Sequence, residues 1–275
     1  MVRLDQALVQ RGLARSRGQA ADLIRAGHVR VNGSAAAKPA VSVTDADTID
    51  VDAADHYVSR AARKLLGALD ASGLEVNGRV LDAGASTGGF TQVALERGAQ
   101  TVYAVDVGHG QLAAVIRDDP RVVVREGLNL RDLTLDDVGG EPVDLIVGDV
   151  SFISLKLLLP PLLAVLRPEA AALLLVKPQF EVGRGGLDAR GVVRDEDVRR
   201  RCVDEVAAEA AELGWPEAWR GRSGTPGASG NVEWFLLFRG PAHSASGTNR
   251  LHSASGTNRL HRASGTSKQS VPGRQ

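Results

Sequence analysis

The sequence predicts an α/β protein: a mostly parallel sheet covered by helices on both faces, preceded by a small α+β unit. Three observations carry this. Short apolar runs of strand length alternate with stretches of helical period from about residue 57 to residue 240, the pattern of stacked strand–helix–strand units. The first such run, VLDAGASTGGF at 80–90, ends in an acid and opens into a glycine-rich turn, as strands do where a parallel sheet holds a ligand. Residues 1–55 are different, with two short amphipathic segments, an Asn-Gly turn and a local excess of arginine. The boundaries read as 1–55, 56–240 and a repetitive tail at 241–275.

In the first region, LDQALVQRG puts Leu4 and Leu8 on one helical face and stops at Gly12. ARSRGQAADLIRAG predicts a second helix, with Ser16 as its N-cap and Gly27 as its stop. HVRVNG is a strand entering an Asn-Gly turn, and DTIDV is the closing strand. The whole chain balances 33 basic against 33 acidic residues, but residues 1–40 hold seven basic residues against two acidic ones. Local charge is what a polyanion meets. The run RLDQALVQRGLARSRGQAADLIRAGHVRVNG, followed by Lys38-Pro39, resembles the RNA-binding domain named after ribosomal protein S-four. The resemblance implies phosphate contacts at Arg3, Arg17 and Lys38. Arg15, and Arg60 at the start of the next region, are further candidates for RNA contact.

Predicted strands in the central region are GRVLDAG, TVYAVDVG, RVVVREG, VDLIVGDV, AALLLVKP and VEWFLLFR. FTQVALERG and DEDVRRRCVDEVAAEAAELG are predicted helices. Asp195 caps the latter, with Val198, Cys202, Val206 and Leu213 facing inward.

The ligand follows from the strand ends. A dinucleotide turn needs glycines spaced G-x-G-x-x-G, and Gly84, Gly88 and Gly89 break that spacing with Ala85, Ser86 and Thr87 between them. Acids stand at successive strand ends instead: Asp82, Asp106 and Asp149. This set suits a cationic nucleoside, S-adenosylmethionine, better than an anionic dinucleotide. Asp82 and the amides from Gly84 to Gly88 are assigned to its amino-acid end, Asp106 to its ribose, Asn129 to its adenine, and Asp149 to the reacting-methyl side. Lys64, on the helix before the first strand, and Lys177, directly after LLLV and ahead of Pro178, join Asp149 and Glu233 as a set able to converge on one acceptor. A ribose 2′-hydroxyl holds its proton tightly, so a lysine base with a lowered pKa is the chemistry such a set supplies.

VSRAARKL, LDAGASTGGFTQ, GDVSFIS, LLLVKPQFEVGR, GVVRD and GNVEWFLLF occur in that order. Together they resemble the TlyA-type ribosomal RNA 2′-O-methyltransferases, also called the haemolysin A family, with a Rossmann-like catalytic domain of the RrmJ/FtsJ type. The resemblance implies S-adenosylmethionine as donor, cytidine 2′-hydroxyls of ribosomal RNA within ribosomal subunits as acceptors, and Lys64, Asp149, Lys177 and Glu233 as the catalytic tetrad. Alanines 61 and 62 stand where the family often has a Gly-Gly or Gly-Ala pair. Two alternatives are an RNA-binding assembly factor with an inactive cofactor domain and a haemolysin.

The N-terminal MVRLDQALVQ lacks the apolar core of a secretion signal. LKLLLPPLLAVL and AALLLVKP are too short and proline-broken to span a bilayer. A cytoplasmic protein with no membrane partner is expected. The lone Cys202 reads as a core position and excludes an intramolecular disulfide. His243, His252 and His261 recur every nine residues in a Ser/Gly/Thr-rich tail that reads as disordered, so no metal site is expected.

Overall fold

The structure is a computed structural model that describes residues 1–14, 16–25, 27–51, 56–227 and 229–240. Arg15, the 52–55 linker and the histidine-containing repeats at 241–275 lie outside the described residues.

The N-terminal unit runs β1 (Val2–Arg3), α1 (Leu4–Gln10), α2 (Arg17–Arg25), β2 (Val29–Val31), β3 (Ser34–Ala35), β4 (Ser42–Val43) and β5 (Ile49–Val51). Ser16 Oγ accepts from the Gln19 amide at 3.2 Å, the expected cap of α2. Asn32 and Gly33 both take left-handed φ, 50° and 79°, which is what a two-residue hairpin turn demands. Leu4, Leu8, Ile24 and Val29 are fully buried and form the core of this unit. The strand pair β1–β4 was not anticipated, because two-residue strands carry no alternation to read.

The central unit continues with α3 (Ala61–Ser72), β6 (Arg79–Ala83), α4 (Gly89–Glu96), β7 (Thr101–Asp106), α5 (Ala114–Arg117), β8 (Val122–Glu126), β9 (Val143–Gly148), α6 (Leu159–Ala164), β10 (Leu166–Val176), α7 (Pro178–Glu181), α8 (Glu196–Glu212), β11 (Glu217–Arg222) and β12 (Trp234–Arg239). Seven strands form one sheet in the order β11-β12-β10-β9-β6-β7-β8. Neighbours from β10 to β8 pair parallel, while β12 is antiparallel to both β10 and β11. Alternate residues feed two cores. Leu81, Ile146, Leu174 and Leu236 join one, and Val80, Leu145, Leu173 and Phe235 the other. A sheet buried on both faces explains why its strands read as unbroken apolar runs.

Asp195 caps α8 as expected, accepting from the amides of Asp197 at 2.8 Å and Val198 at 3.2 Å. Cys202 and Val206 face inward, and Val198 is half-buried. Leu213 does not face inward: it is 41% exposed. The helix ends one residue earlier and Gly214, at φ 86°, turns the chain so that Trp215 takes the buried position. The strand order reverses between β6 and β9, and the crevice at their carboxyl ends is where such sheets bind ligands.

Candidate active site

Two cavities adjoin at this crevice. One, about 490 Å³, is lined by Lys64, Asp149, Lys177 and Glu233, so all four predicted tetrad residues meet. The other, about 530 Å³, is lined by Asp106, Val107, Asn129 and Leu130. Gly84, Ser86, Asp149, Ser151 and Phe152 line both.

The four tetrad side chains form two ion pairs. Lys64 Nζ lies 2.6 Å from Glu233 Oε2, and Lys177 Nζ lies 2.6 Å from Asp149 Oδ1. Lys64 and Lys177 are each 8% exposed and Glu233 is 2% exposed. Buried charge is retained only where it is paired. Three devices place these groups. Lys64 projects from α3, whose start packs so closely on α4 that a Cβ at Gly89 would sit 2.2 Å from Ser59 Oγ. Lys177 is extended, at φ −114° and ψ 98°, as a residue ahead of proline must be. Glu233 directly precedes β12, and Gly227 leaves room for its carboxylate, since a Cβ there would come within 2.5 Å of Oε1. Gln179 Nε2 donates to Glu233 Oε1 at 3.2 Å and so ties the Lys64–Glu233 pair to α7.

In the second cavity, Asp106 accepts from the Gly108 amide at 2.7 Å through Oδ1 and from the Ser86 amide at 2.9 Å through Oδ2. Each oxygen keeps a further lone pair, the arrangement that two vicinal ribose hydroxyls need. Asn129 Oδ1 is held by the Arg131 amide at 3.1 Å, which fixes the side chain at the cavity wall. The residues present therefore fit a nucleoside.

The amino-acid end differs from expectation. Asp82 is fully buried and lines neither cavity; its Oδ2 accepts from Thr91 Oγ1 at 2.6 Å. Burial pushes its carboxyl up to about 7. Asp82 therefore knits the end of β6 to the start of α4 beneath the ligand crevice. The amides of Gly84 and Ala85 both donate to Val105 O, that of Ser86 to Asp106, and that of Gly88 to Ala85 O. These amides hold the turn rather than facing a ligand. Gly84, Ala85, Ser86 and Thr87 line the crevice, whereas a Cβ on Gly88 would point into Leu112 and Ile116.

In the N-terminal unit, Arg3 and Arg17 each approach the Asp5 carboxylate at 3.1 Å. Hydrogen bonding from Arg3 holds Asp5 down at about 2. Lys38 is exposed, and Arg60 is exposed at the mouth of the tetrad cavity. Ser151, Phe152 and Gln179, which carry no charge or periodic signal in the sequence, also line the tetrad cavity. Phe152 is 91% exposed with φ 67°, an apolar side chain in a strained backbone conformation; no sequence periodicity marks it.

This sheet topology, with two joined cavities, one of them holding paired lysines, is the arrangement a methyltransferase uses, and the family comparison assigns that class. Residues 57–240 match the FtsJ-like methyltransferase family and residues 2–49 match the S4 domain. The chain belongs to the FtsJ-like methyltransferase family. It is 55% identical over 240 residues, 86% of this chain and 89% of the relative, to the 16S/23S rRNA (cytidine-2′-O)-methyltransferase TlyA of Mycobacterium tuberculosis. It is 39% identical over 238 residues to Hemolysin A of Brachyspira hyodysenteriae, covering 86% of this chain and 99% of that protein. A solved candidate hemolysin from Streptococcus thermophilus superposes with a TM-score of 0.70 at 36% identity, covering 87% of this chain and 88% of that one. No helix among the described residues is long and apolar enough to cross a membrane.

Proposed function

We propose that this chain transfers a methyl group from S-adenosylmethionine to the 2′-hydroxyl of a cytidine ribose in ribosomal RNA, acting in the cytoplasm on ribosomal subunits. The observation that supports it best is the shared wall of the two cavities: the Asp149–Phe152 segment faces the nucleoside side and the lysine side at once. Residues 1–55 dock the RNA, and residues 56–240 carry the chemistry.

Asp106 would hold the ribose, Asn129 the adenine edge, and Gly84 and Asp149 the end nearest the transferred group. The donor supplies an electrophilic methyl on a sulfonium. Lys177, in the tetrad cavity and 2.6 Å from Asp149 at the wall the two cavities share, takes the proton of the attacking hydroxyl. Lys64, paired with Glu233 at 2.6 Å, lines the same cavity and can hold the acceptor nucleotide beside Lys177. Holding hydroxyl and methyl in line is the other large contribution. Arg3, Arg17, Lys38 and Arg60 supply sequence-independent attraction to the RNA backbone.

The test is transfer of labelled methyl to purified small and large ribosomal subunits, followed by alkaline cleavage of the rRNA. A 2′-O-methyl leaves one linkage resistant. Label on RNA that remains fully cleavable places the methyl on a base and refutes the ribose reading. Cofactor binding without label on any subunit favours a non-catalytic assembly role.

A further inference from the structure

Lys177 and Asp149 are close, yet their contact is not a directed one. Nζ and Oδ1 are 2.6 Å apart, but among the described residues Oδ1 has no partner in hydrogen-bonding geometry. The directed bond from Lys177 goes elsewhere: Nζ donates to Ser151 Oγ at 2.7 Å. Charge attraction sets how near the ammonium lies, whereas hydrogen-bond angle sets where its remaining N–H groups or lone pair point. A lysine on a flexible four-carbon stem needs such a restraint to act as a base in one direction.

Ser151 is itself held. It lies in the turn between Asp149 and Leu155 that bridges β9 to the following helical segment. Glu181, the last residue of α7, closes the far end of that turn: Oε2 accepts from Ser154 Oγ at 2.5 Å and Oε1 from the Leu155 amide at 2.8 Å. Phe180 adds a ring contact with Phe152, centroids 5.2 Å apart. Lys177 and Glu181 bracket α7, so the helix grips the turn at both ends. The turn lines both cavities, so a shift in it displaces the base relative to the methyl as well as to the hydroxyl.

We propose that Ser151 is a positioning residue for Lys177, fixing the direction of its amine toward the acceptor, with Glu181 bracing the turn that presents Ser151. This rests on the reading of Lys177 as the base. Asp149 then serves mainly as counter-charge, which divides the tetrad's roles more finely than its membership does.

The test is single-turnover methyl transfer to ribosomal subunits at saturating S-adenosylmethionine. Ser151→Ala is expected to lower the rate constant about ten- to hundredfold, the order of loss for a displaced reacting group, with affinities for RNA and cofactor within twofold of wild type. Ser151→Thr keeps the γ-oxygen and is expected to recover most of the rate; Glu181→Gln, which keeps an acceptor for the Leu155 amide, should lose less than Glu181→Ala. A Ser151→Ala rate within twofold of wild type, a threonine variant as slow as alanine, or a loss confined to cofactor affinity overturns the proposal. Should wild type transfer nothing to RNA, the functional reading fails on its own. The Ser151–Lys177 bond is then judged by side-chain NMR, with the amine signal assigned through Lys177→Arg: a changed signal in Ser151→Ala supports the bond, and an unchanged one refutes it.

Discussion

Lys64, Lys177, Asp149 and Glu233 form one charge cluster of the molecule, and Arg3, Asp5 and Arg17 form another. Both are ion-paired, but their surroundings are opposite. The two catalytic-domain lysines are 8% exposed and Glu233 is 2% exposed, whereas the side chains of Arg3 and Arg17 keep 48% and 59% of their surface. In the buried cluster each charge has a fixed partner and little water, so its geometry reads out as rate. In the exposed cluster a buried acid, Asp5, gathers two cations that still face solvent, so under the proposed function its contribution would read out as affinity and as salt dependence. Under the proposed function, the same residue chemistry would serve positioning in one place and docking in the other.

Breaking the buried cluster should produce the largest effect. Lys64→Ala leaves Glu233 as an uncompensated buried carboxylate, a lesion that costs about 3–5 kcal/mol, and methyl transfer should fall below detection; thermal denaturation and labelled-methyl assays check the two halves. Lys64→Met combined with Glu233→Leu sharpens the point, since stability should return while transfer stays absent. Next in size is Asp106→Ala. It removes acceptors for two hydroxyls and should weaken S-adenosylmethionine binding by roughly ten- to hundredfold on the scale of about 1–3 kcal/mol for such bonds, with RNA affinity unchanged in calorimetry.

Smaller still is Arg17→Ala in the exposed cluster. RNA affinity should drop modestly, and the slope of log affinity against log salt should shrink by about one if one phosphate contact is lost. Cofactor affinity should not move. A pH effect on stability, rather than on binding, separates two acids with opposite shifts. Asp82 titrates near 7 when folded because it is buried, against about 3.9 unfolded, so the folded state holds the proton between those values. Its stabilising contribution is complete below about pH 4 and is lost as pH rises through 7. Asp82→Asn, which keeps an acceptor for Thr91, should therefore raise the melting temperature more at pH 8 than at pH 5. Asp5 lies near 2, so its contribution persists above about pH 4 and is lost only as pH falls through 2.

The buried strands were legible in the sequence because a sheet covered on both faces leaves apolar runs such as VDLIVGDV and AALLLVKP, and α8 because a capping aspartate precedes a clear helical period. β1, β4 and β11 were not: two are too short for alternation, and β11 is an edge strand bearing Glu217, Arg220 and Arg222. Lys177 stood out for a related reason, since a lysine closing a buried strand is chemically conspicuous, and the fold brings it into one cavity with Lys64, Asp149 and Glu233. Asp82 was placed at the ligand because an acid at a strand's end looks alike whether it faces a cavity or a helix. Only the fold shows that Thr91 turns back to meet it. Nor does sequence show that the amides after Gly84 are already bonded within the turn. Ser151, in a turn, and Gln179, in the one-turn helix α7, are small or neutral residues with no period and no charge to mark them, and their partners are 26 and 54 positions away.

One measurement tests most directly whether chemistry and docking are divided between these regions: single-turnover methyl transfer by Lys177→Ala, with RNA and S-adenosylmethionine binding measured on the same preparation. Both ligands bound near wild-type affinity, with transfer reduced by at least 10²-fold, on the scale of a positioned general base, is the expected result. Transfer within a fewfold of wild type, or a loss explained by lost RNA binding, would contradict the assignment of Lys177 to the chemical step.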